Sequence, residues 1–251
     1  INGYIYASAK NGLTGNKIKF SKVSVGATEN AIIAASQAKG TTSLYNCATE
    51  PEVQDLILFL KKLGCRIKTK NRKIVIEGNF EPRPTTYKVM FDRIETGTYM
   101  IASALAGRKI SLTNLNSSVI KTEIKTLQKM GVKMKISKDK IIITKAAKIK
   151  SINISTAAYP GFPTDLQAQI MVLMTKANGV SKIKENIFEN RFMHVPELKR
   201  MGAKISIKNN IAKINGPTKL SGAEVMATDL RASVSLVLAG LIANNETIIN
   251  R

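Results

Sequence analysis

The tripeptide Thr-Asp-Leu occurs twice in the sequence, at 164–166 and at 228–230, each time directly ahead of an apolar run. An Asp at the start of a helix accepts hydrogen bonds from the first backbone N–H groups, and capping alone accounts for both Asp165 and Asp229. The second copy is followed by Arg231. Because a helix N-terminus is itself partly positive, an added guanidinium makes this end a clamp for a phosphate or a carboxylate.

A second anion site is indicated by the segment SKVSVGAT at 21–28, which places Lys22 and small residues before the start of a helix. Backbone N–H groups at such a start bind anions, although an ordinary strand-to-helix turn has the same composition. Glu50 and Arg93 also precede helices. From the residues alone, Glu50 complements a helix dipole, and Arg93 forms either a substrate contact or a surface ion pair of little energetic value.

The remaining reactive side chains favour structural roles. His194 is the single histidine, ahead of the sequence VPEL, and we interpret it as a structural residue. Cys47 and Cys65 give neither a disulfide framework nor a metal-ligand spacing. The cysteines therefore indicate a reducing, cytoplasmic setting, and we predict no metal site.

The net charge of +22 is spread along the chain. The chain has 30 lysines against 9 arginines, no Trp and only 5% aromatic residues, so platforms on which nucleic-acid bases stack are scarce. We therefore predict solvated surface lysines rather than a nucleic-acid-binding protein. No apolar run is long enough to span a membrane, and the first residues resemble neither a signal peptide nor a transit peptide.

A repeat of about 70 residues organises the chain. Its clearest part is Leu-x-Lys/Arg-Leu/Met-Gly followed by alternating apolar and polar residues, at Gly64, Gly131 and Gly202. A glycine after an apolar-periodic run marks a helix end, and the alternating segments on either side of KNR, KDK and KNN are typical of β-hairpins. A second series of glycines lies 24, 24 and 23 residues earlier, at Gly40, Gly107 and Gly179.

Each unit of the repeat thus consists of a helix, a strand, a helix and two strands, with a further strand leading into the next helix. We predict two domains, 1–90 and 91–251. In the second domain, three buried helices beginning near Thr96, Thr164 and Thr228 should lie side by side, with the hairpins outside.

Six motifs in order resemble the bacterial UDP-N-acetylglucosamine 1-carboxyvinyltransferase family along the whole chain. They are KVSVGATENAI, EPEVQDL, DRIETGTYM, FPTDLQAQ, FENRFMHVPELKRMGA and LSGAEVMATDLRASVSLVLAG. The sister family, 3-phosphoshikimate 1-carboxyvinyltransferase, shares the repeat but not FENRFMHVPEL. The resemblance implies an α/β fold, the inside-out α/β barrel of the enolpyruvyl transferases built from βαβαββ repeats in two domains, incomplete in this chain.

The resemblance also implies an activity. Enzymes of this family transfer the enolpyruvyl group of phosphoenolpyruvate to the 3′-hydroxyl of UDP-N-acetylglucosamine and release phosphate, the first committed step of peptidoglycan precursor synthesis. The reaction needs anion clamps, a base at the sugar hydroxyl and an acid at the vinyl carbon. It implies no metal and no organic cofactor, and its partners are the two substrates rather than nucleic acid or a membrane.

The site residues that the resemblance implies fall into two groups. Asp165 is the candidate general base, and Asp229, Arg231 and Arg251 complete the catalytic group, with the two arginines contacting phosphoenolpyruvate. The substrate-binding group consists of Lys22, Ser24, Val25, Gly26, Ile187, Arg191, Arg93 and Glu50. Of these, Lys22, Ser24, Val25 and Gly26 hold the UDP moiety, and Ile187 contributes its backbone.

The family's proton-donating cysteine and several of its substrate clamps lie upstream of Ile1, and neither Cys47 nor Cys65 can replace that cysteine. The chain also lacks an initiator Met and stops within a fourth repeat at Arg251. We therefore expect a fragment that is inactive alone and that needs the remaining part of the same enzyme as its partner. Two alternatives stay open: an inactive remnant or nucleotide-sugar-binding fragment of that enzyme, and a basic nucleic-acid-binding protein.

Overall fold

The structure is a computed structural model of the 251-residue chain and describes residues 3–107, 109–144 and 148–250. The chain divides into two compact units, Ile1–Met90 and Phe91–Arg251, and each unit has its own hydrophobic core. None of the helices in the described ranges has the length and apolar character that a membrane span requires.

The first unit packs two helices against one face of a four-stranded sheet. Its elements are β1 (Lys17–Lys19), α1 (Val25–Gln37), β2 (Thr41–Tyr45), α2 (Pro51–Leu63), β3 (Arg66–Lys70) and β4 (Lys73–Glu77). The strand order is β1-β2-β4-β3, with β1 parallel to β2 and the other neighbours antiparallel. Helix α1 is the crossover that the parallel pair needs. Leu44, Ile74 and Ile76 of the sheet meet Ile32 of α1 and Ile57 of α2 in the core.

The second unit repeats this pattern. Its elements are α3 (Arg93–Ala106), β5 (Ile110–Thr113), α4 (Lys121–Lys129), β6 (Lys133–Ile136), β7 (Lys140–Thr144), β8 (Ile149–Lys150), β9 (Asn153–Ser155), a 3₁₀ helix (Thr164–Leu166), α5 (Gln167–Thr175), β10 (Ala177–Lys184), α6 (Val195–Arg200), β11 (Lys204–Lys208), β12 (Ile211–Gly216), β13 (Glu224–Met226), α7 (Leu230–Gly240) and β14 (Ile248–Asn250). The sheets are β5-β7-β6, β11-β12-β10-β8 with β9 also paired to β10, and β13-β14.

In the second unit, α3, α5 and α7 lie side by side and sheets pack against them, as the repeat predicts. Helix α5 packs against both α3 and α7, while β7 packs against α3 and β12 packs against α5. The predicted hairpins are β3–β4, β6–β7 and β11–β12. Gly64, Gly131 and Gly202 follow the helix ends with φ of 114°, 92° and 93°, a left-handed conformation that favours glycine.

The first helix of the third repeat differs from the prediction. Residues 164–166 form the 3₁₀ helix, α5 already ends at Thr175, and Gly179 lies inside β10 instead of stopping the helix. The reason is strand pairing, because β10 begins at Ala177, whose ladder partner is Ile149 of β8. A residue held in that ladder cannot also extend the helix.

The three central helices differ in burial. Helix α5 is buried at every residue, as expected for a helix surrounded by protein. Helix α3 leaves Tyr99 51% exposed, and α7 exposes Leu230, Val234 and Val237, which recur every three or four residues along one face. All three predicted helices thus contribute buried residues to the core, α5 over its whole surface and α3 and α7 on one side.

Exposed lysines face each other across neighbouring strands. Lys182 of β10 lies directly opposite Lys213 of β12, and Lys70 lies opposite Lys73 at the β3–β4 turn. Like charges in such pairs destabilise a sheet slightly. The strands must therefore be held by their inward apolar residues and backbone hydrogen bonds rather than by their outer faces.

Gly78→Ala is expected to destabilise the first unit. A Cβ at this position would lie inside van der Waals contact of the carbonyl oxygens of Ala35 and Ala38, which are backbone atoms that cannot turn aside. We expect a loss of about 1–3 kcal/mol in the free energy of unfolding, measured by urea denaturation. The matched control is Gly26→Ala in α1, where a Cβ meets no atom within 4 Å and stability should be equal or higher. Equal stability of the two variants would contradict the prediction.

Candidate active site

Asp165 is held by two arginines that come from different elements of the second unit. Asp165 lies in the 3₁₀ turn before α5, Arg231 lies in the first turn of α7, and Arg191 lies between β10 and α6. Arg231 Nε and Nη2 are each 2.7 Å from Asp165 Oδ1, and Arg191 Nη1 is 3.2 Å from the same oxygen. The structure thus brings together Asp165 and Arg231, which are 66 residues apart in the sequence.

The two arginines set the charge of Asp165. Burial raises the pKa of this carboxyl, but the hydrogen bonds and charges of Arg231 and then Arg191 outweigh burial and leave the pKa below its ordinary value. Asp165 is therefore ionised at neutral pH. Within the part of the chain that the structure describes, Oδ2 accepts no hydrogen bond, and the side chain is 38% exposed. One carboxylate oxygen is thus open to a ligand beside two guanidinium groups.

The two copies of Thr-Asp-Leu have different local structures. Asp229 Oδ1 accepts a hydrogen bond from the backbone N–H of Arg231 at 2.7 Å, and its carbonyl oxygen accepts one from Ser233 at 2.9 Å. Asp229 is therefore the helix cap that the sequence predicts. Asp165 instead directs its carboxylate to the two arginines, and α5 begins after it. The same tripeptide supplies an ion-pair partner in one repeat, at Asp165, and a helix cap in the next, at Asp229.

The loop after β10 carries Ile187 and Arg191. The Ile187 side chain is 40% exposed, and the Arg191 guanidinium lies over the Phe188 ring, 4.2 Å from its centroid. Arg191 Nη1 also donates to Thr164 Oγ1 at 3.2 Å. Sequence reasoning missed Thr164 and the buried Glu185 to which its hydroxyl donates. The sequence shows only that Glu185 directly follows a lysine-rich strand, and this position does not indicate which residues it contacts.

The start of α1 gathers the predicted UDP-binding residues of the first unit. Ser24 caps the helix, with its Oγ accepting from the backbone N–H of Ala27 at 3.3 Å. Helix geometry leaves the N–H groups of Val25 and Gly26 without an intrahelical partner. Lys22 and Gly26 are exposed, and no atom lies within 4 Å of a Cβ built on Gly26. An anion can therefore approach the backbone closely at this end of the helix.

Glu50 and Arg93 are buried in their own units. Glu50 is 6% exposed, and its Oε2 accepts from the backbone N–H of Thr49 at 2.9 Å. Arg93 is 7% exposed and pairs with Glu123 at 3.4 Å. Their substrate contacts stay predictions, and Arg251 lies outside the described residues. Within residues 3–107, 109–144 and 148–250, no group of three or more His, Cys, Asp or Glu side chains is placed to hold a metal ion.

The whole chain matches a single family of enzymes. The sequence profile of EPSP synthase (3-phosphoshikimate 1-carboxyvinyltransferase) covers residues 1–251. The chain belongs to the EPSP synthase family.

Within the EPSP synthase family, the chain is similar to curated UDP-N-acetylglucosamine 1-carboxyvinyltransferases. It is 58% identical over 252 residues to the one from Pelagibacter ubique (strain HTCC1062), covering 100% of this chain and 60% of the relative. It is 49% identical over 251 residues to UDP-N-acetylglucosamine 1-carboxyvinyltransferase 2 of Mesorhizobium japonicum, again covering 100% of this chain and 60% of the relative. The chain thus spans about 60% of the length of these relatives.

A solved structure agrees with this assignment. The crystal structure of the enolpyruvyl transferase NikO from Streptomyces tendae superposes with a TM-score of 0.83 at 27% identity, covering 90% of this chain and 55% of that chain. The fold is therefore the two-domain α/β fold of the enolpyruvyl transferases, as the six motifs predict.

His194 is buried directly before α6 and is 3% exposed. Burial lowers its pKa to about 4, and the nearby charge of Asp229 offsets this only in part. Its Nε2 has no hydrogen-bond partner among the described residues. His194 is thus neutral in this member of the EPSP synthase family, and its burial agrees with the structural interpretation.

His194 should make stability depend on pH between about 6.5 and 4. The unfolded chain takes up a proton near the ordinary pKa of 6.5, whereas the folded protein does so only near 4. The contribution of neutral His194 to the free energy of unfolding is therefore fully present above pH 6.5, and it is lost as the pH decreases towards 4. In the parent protein we expect the free energy of unfolding to fall by on the order of 2–3 kcal/mol over this window because of His194, and in His194→Phe this fall should be absent. Urea denaturation at several pH values measures both. Parallel pH profiles for the variant and the parent protein would contradict this.

Proposed function

We propose that the protein containing this chain transfers the enolpyruvyl group of phosphoenolpyruvate to the 3′-hydroxyl of UDP-N-acetylglucosamine and releases phosphate. The reaction would supply a peptidoglycan precursor, and we assign it to the cytoplasm. The observation that carries the proposal is the carboxylate of Asp165 between Arg231 and Arg191, with one oxygen open. The 58% identity to a curated enzyme of that name supports it.

The proposed reaction transfers protons in a defined order. The sugar hydroxyl gives its proton to Asp165 Oδ2 while its oxygen bonds to C2 of phosphoenolpyruvate and C3 gains a proton from an acid. The tetrahedral adduct then breaks the bond between C2 and the phosphate oxygen, phosphate leaves, and C3 returns a proton to the conjugate base of the acid that had protonated it. Asp165 is the base, and Arg231 holds an anionic group of phosphoenolpyruvate, since a guanidinium matches phosphate and carboxylate oxygens.

The ion pair between Asp165 and Arg231 couples the pKa of the proposed base to the binding of phosphoenolpyruvate. Arg231, whose Nε and Nη2 both contact Oδ1, lowers the pKa of Asp165 through its hydrogen bond and its charge. A substrate anion that engages Arg231 would compete with Asp165 for this guanidinium. The pKa of Asp165 would then rise, and the carboxylate would become a stronger base when both substrates are present.

The start of α1 is the proposed UDP site, with Lys22, Ser24, Val25 and Gly26 around the nucleotide. It is exposed and has no acidic residue in its first turn, which suits an anion. Because these residues lie wholly in the first unit, binding of the nucleotide sugar without turnover is the second candidate function. Glu50 and Ile187 are proposed as further contacts, with Ile187 acting through its backbone.

Binding of UDP-N-acetylglucosamine to the chain is the first test. Lys22→Gln and Gly26→Ala should each weaken binding about tenfold, corresponding to about 1.4 kcal/mol, in isothermal titration calorimetry. Lys22→Gln removes a charge, and Gly26→Ala places a methyl group where the ligand approaches the backbone. The matched control is Lys19→Gln, which removes another exposed lysine, in β1. Unchanged affinity in both site variants would contradict the assignment, and salt-dependent binding of duplex DNA instead would favour the nucleic-acid alternative.

Steady-state kinetics in a turnover-competent form that contains this chain is the second test. Asp165→Asn should lower kcat by about 10²–10⁴ while changing the affinity for UDP-N-acetylglucosamine little, since it removes the base. Arg231→Gln should chiefly raise the KM for phosphoenolpyruvate. The control is Asp139→Asn in the exposed β6–β7 turn. A near-parental kcat for Asp165→Asn would contradict its role. For the 251-residue chain by itself we predict no measurable phosphate release.

A further inference from the structure

Glu185 is a buried carboxylate that receives four hydrogen bonds. It follows β10 and is 3% exposed. Its Oε1 accepts from Thr156 Oγ1 at 2.8 Å and from the backbone N–H groups of Ile187 at 2.8 Å and Phe188 at 3.2 Å, and its Oε2 accepts from Thr164 Oγ1 at 2.9 Å. Four donors surround a group that, when ionised, can only accept. The surroundings therefore suit a carboxylate, whereas the amide group of a glutamine would add a further donor among them.

The hydrogen bond from Thr164 gives this network a direction. A threonine hydroxyl has one proton, and Thr164 donates it to Glu185. Its oxygen is then left to accept, and Arg191 Nη1 donates to it at 3.2 Å. The same Nη1 reaches Asp165 Oδ1 at 3.2 Å. Thr164 thus connects the buried carboxylate to the arginine that contacts the candidate base.

Glu185 also fixes the other support of Arg191. The guanidinium lies over the Phe188 ring, and the backbone N–H of Phe188 is bound by Glu185 Oε1. The carboxylate is itself held in place, because the backbone N–H of Glu185 donates to the Asn210 carbonyl at 2.8 Å and Asn210 Nδ2 donates back to the Glu185 carbonyl at 2.8 Å. Arg191 therefore rests on two groups whose positions both depend on one fixed carboxylate.

We propose that Glu185 is a positioning residue, which holds Thr164 and the backbone at 187–188 so that Arg191 donates to Asp165. It touches neither substrate in this assignment and acts only through Arg191. Its importance for turnover rests on the proposed function, whereas the alignment of Arg191 on Asp165 can be measured without any substrate.

The test is the titration of the Asp165 carboxyl carbon, followed by ¹³C NMR in the 251-residue chain. In Glu185→Gln, an amide nitrogen replaces the oxygen that accepts from Thr164, so the hydroxyl loses its acceptor and meets a second donor. Arg191 should then lose its alignment, and the midpoint of Asp165 should move to higher pH. Loss of the negative charge of Glu185 alone would move the midpoint to lower pH. An upward shift therefore reports alignment and not charge.

Three comparisons make the result decisive. Arg191→Gln should raise the midpoint, and adding Glu185→Gln to it should raise the midpoint no further. Glu189→Gln, an exposed glutamate of the same loop, should leave it unchanged. If Glu185→Gln does not fold, Thr164→Val should raise the midpoint while Thr164→Ser, which keeps the hydroxyl, should restore it.

An unchanged or lowered Asp165 midpoint in Glu185→Gln, or in Thr164→Val where that variant is used, would overturn the proposal. So would a further rise when Glu185→Gln is added to Arg191→Gln. A failure of the proposed function looks different, since the parental chain would then bind no UDP-N-acetylglucosamine while the titration results stayed the same. The two ideas are therefore tested separately.

Discussion

The contacts of Arg231 and Arg191 with one oxygen of Asp165 are the interaction on which the candidate active site depends. Two guanidinium groups from separate elements donate to Oδ1, Arg231 from α7 and Arg191 from the loop after β10, and both reach Asp165 ahead of α5. Removing one arginine would leave a partly buried carboxylate with a single cation, and removing Asp165 would leave two cations close together. The complete cluster therefore requires three distant stretches of the chain to be correctly folded at once.

Parallel strand–helix–strand crossovers explain why these groups meet. Strand β9 runs parallel to β10 with α5 between them, and β13 runs parallel to β14 with α7 between them. In each crossover the helix begins after the carboxyl end of its first strand, which is where ligands bind in sheets of this kind. The first unit contains the same connection, β1-α1-β2, and the exposed start of α1, where an anion can approach, follows the end of β1. One repeated connection thus generates each candidate binding end.

Periodicity predicted the repeat, the hairpins and the central helices, because alternation and helix-ending glycines are local signals. It failed at α5, whose end is set by pairing with a strand that lies earlier in the chain. The residues Asp165 and Arg231 were found through motifs, and the sequence offered no distance between them. Glu185 could not have been found, because its role depends on hydroxyl groups at Thr156 and Thr164, which the chain brings to it from outside the loop. Which hydroxyl groups donate to Glu185 can be read only from the folded structure.

The opposed exposed lysines, taken together with the ion pairs of Asp165, imply that salt acts on this protein in two opposite ways. Mobile ions screen the repulsion between Lys182 and Lys213 and between other exposed lysines of a chain with net charge +22, so they should favour the compact state. The same ions weaken the attraction between Asp165 and its two partly exposed arginines. Ionic strength therefore acts in opposite directions on the fold and on the polar cluster, so a buffer that best preserves the fold is one in which the ion pairs of Asp165 are weakest.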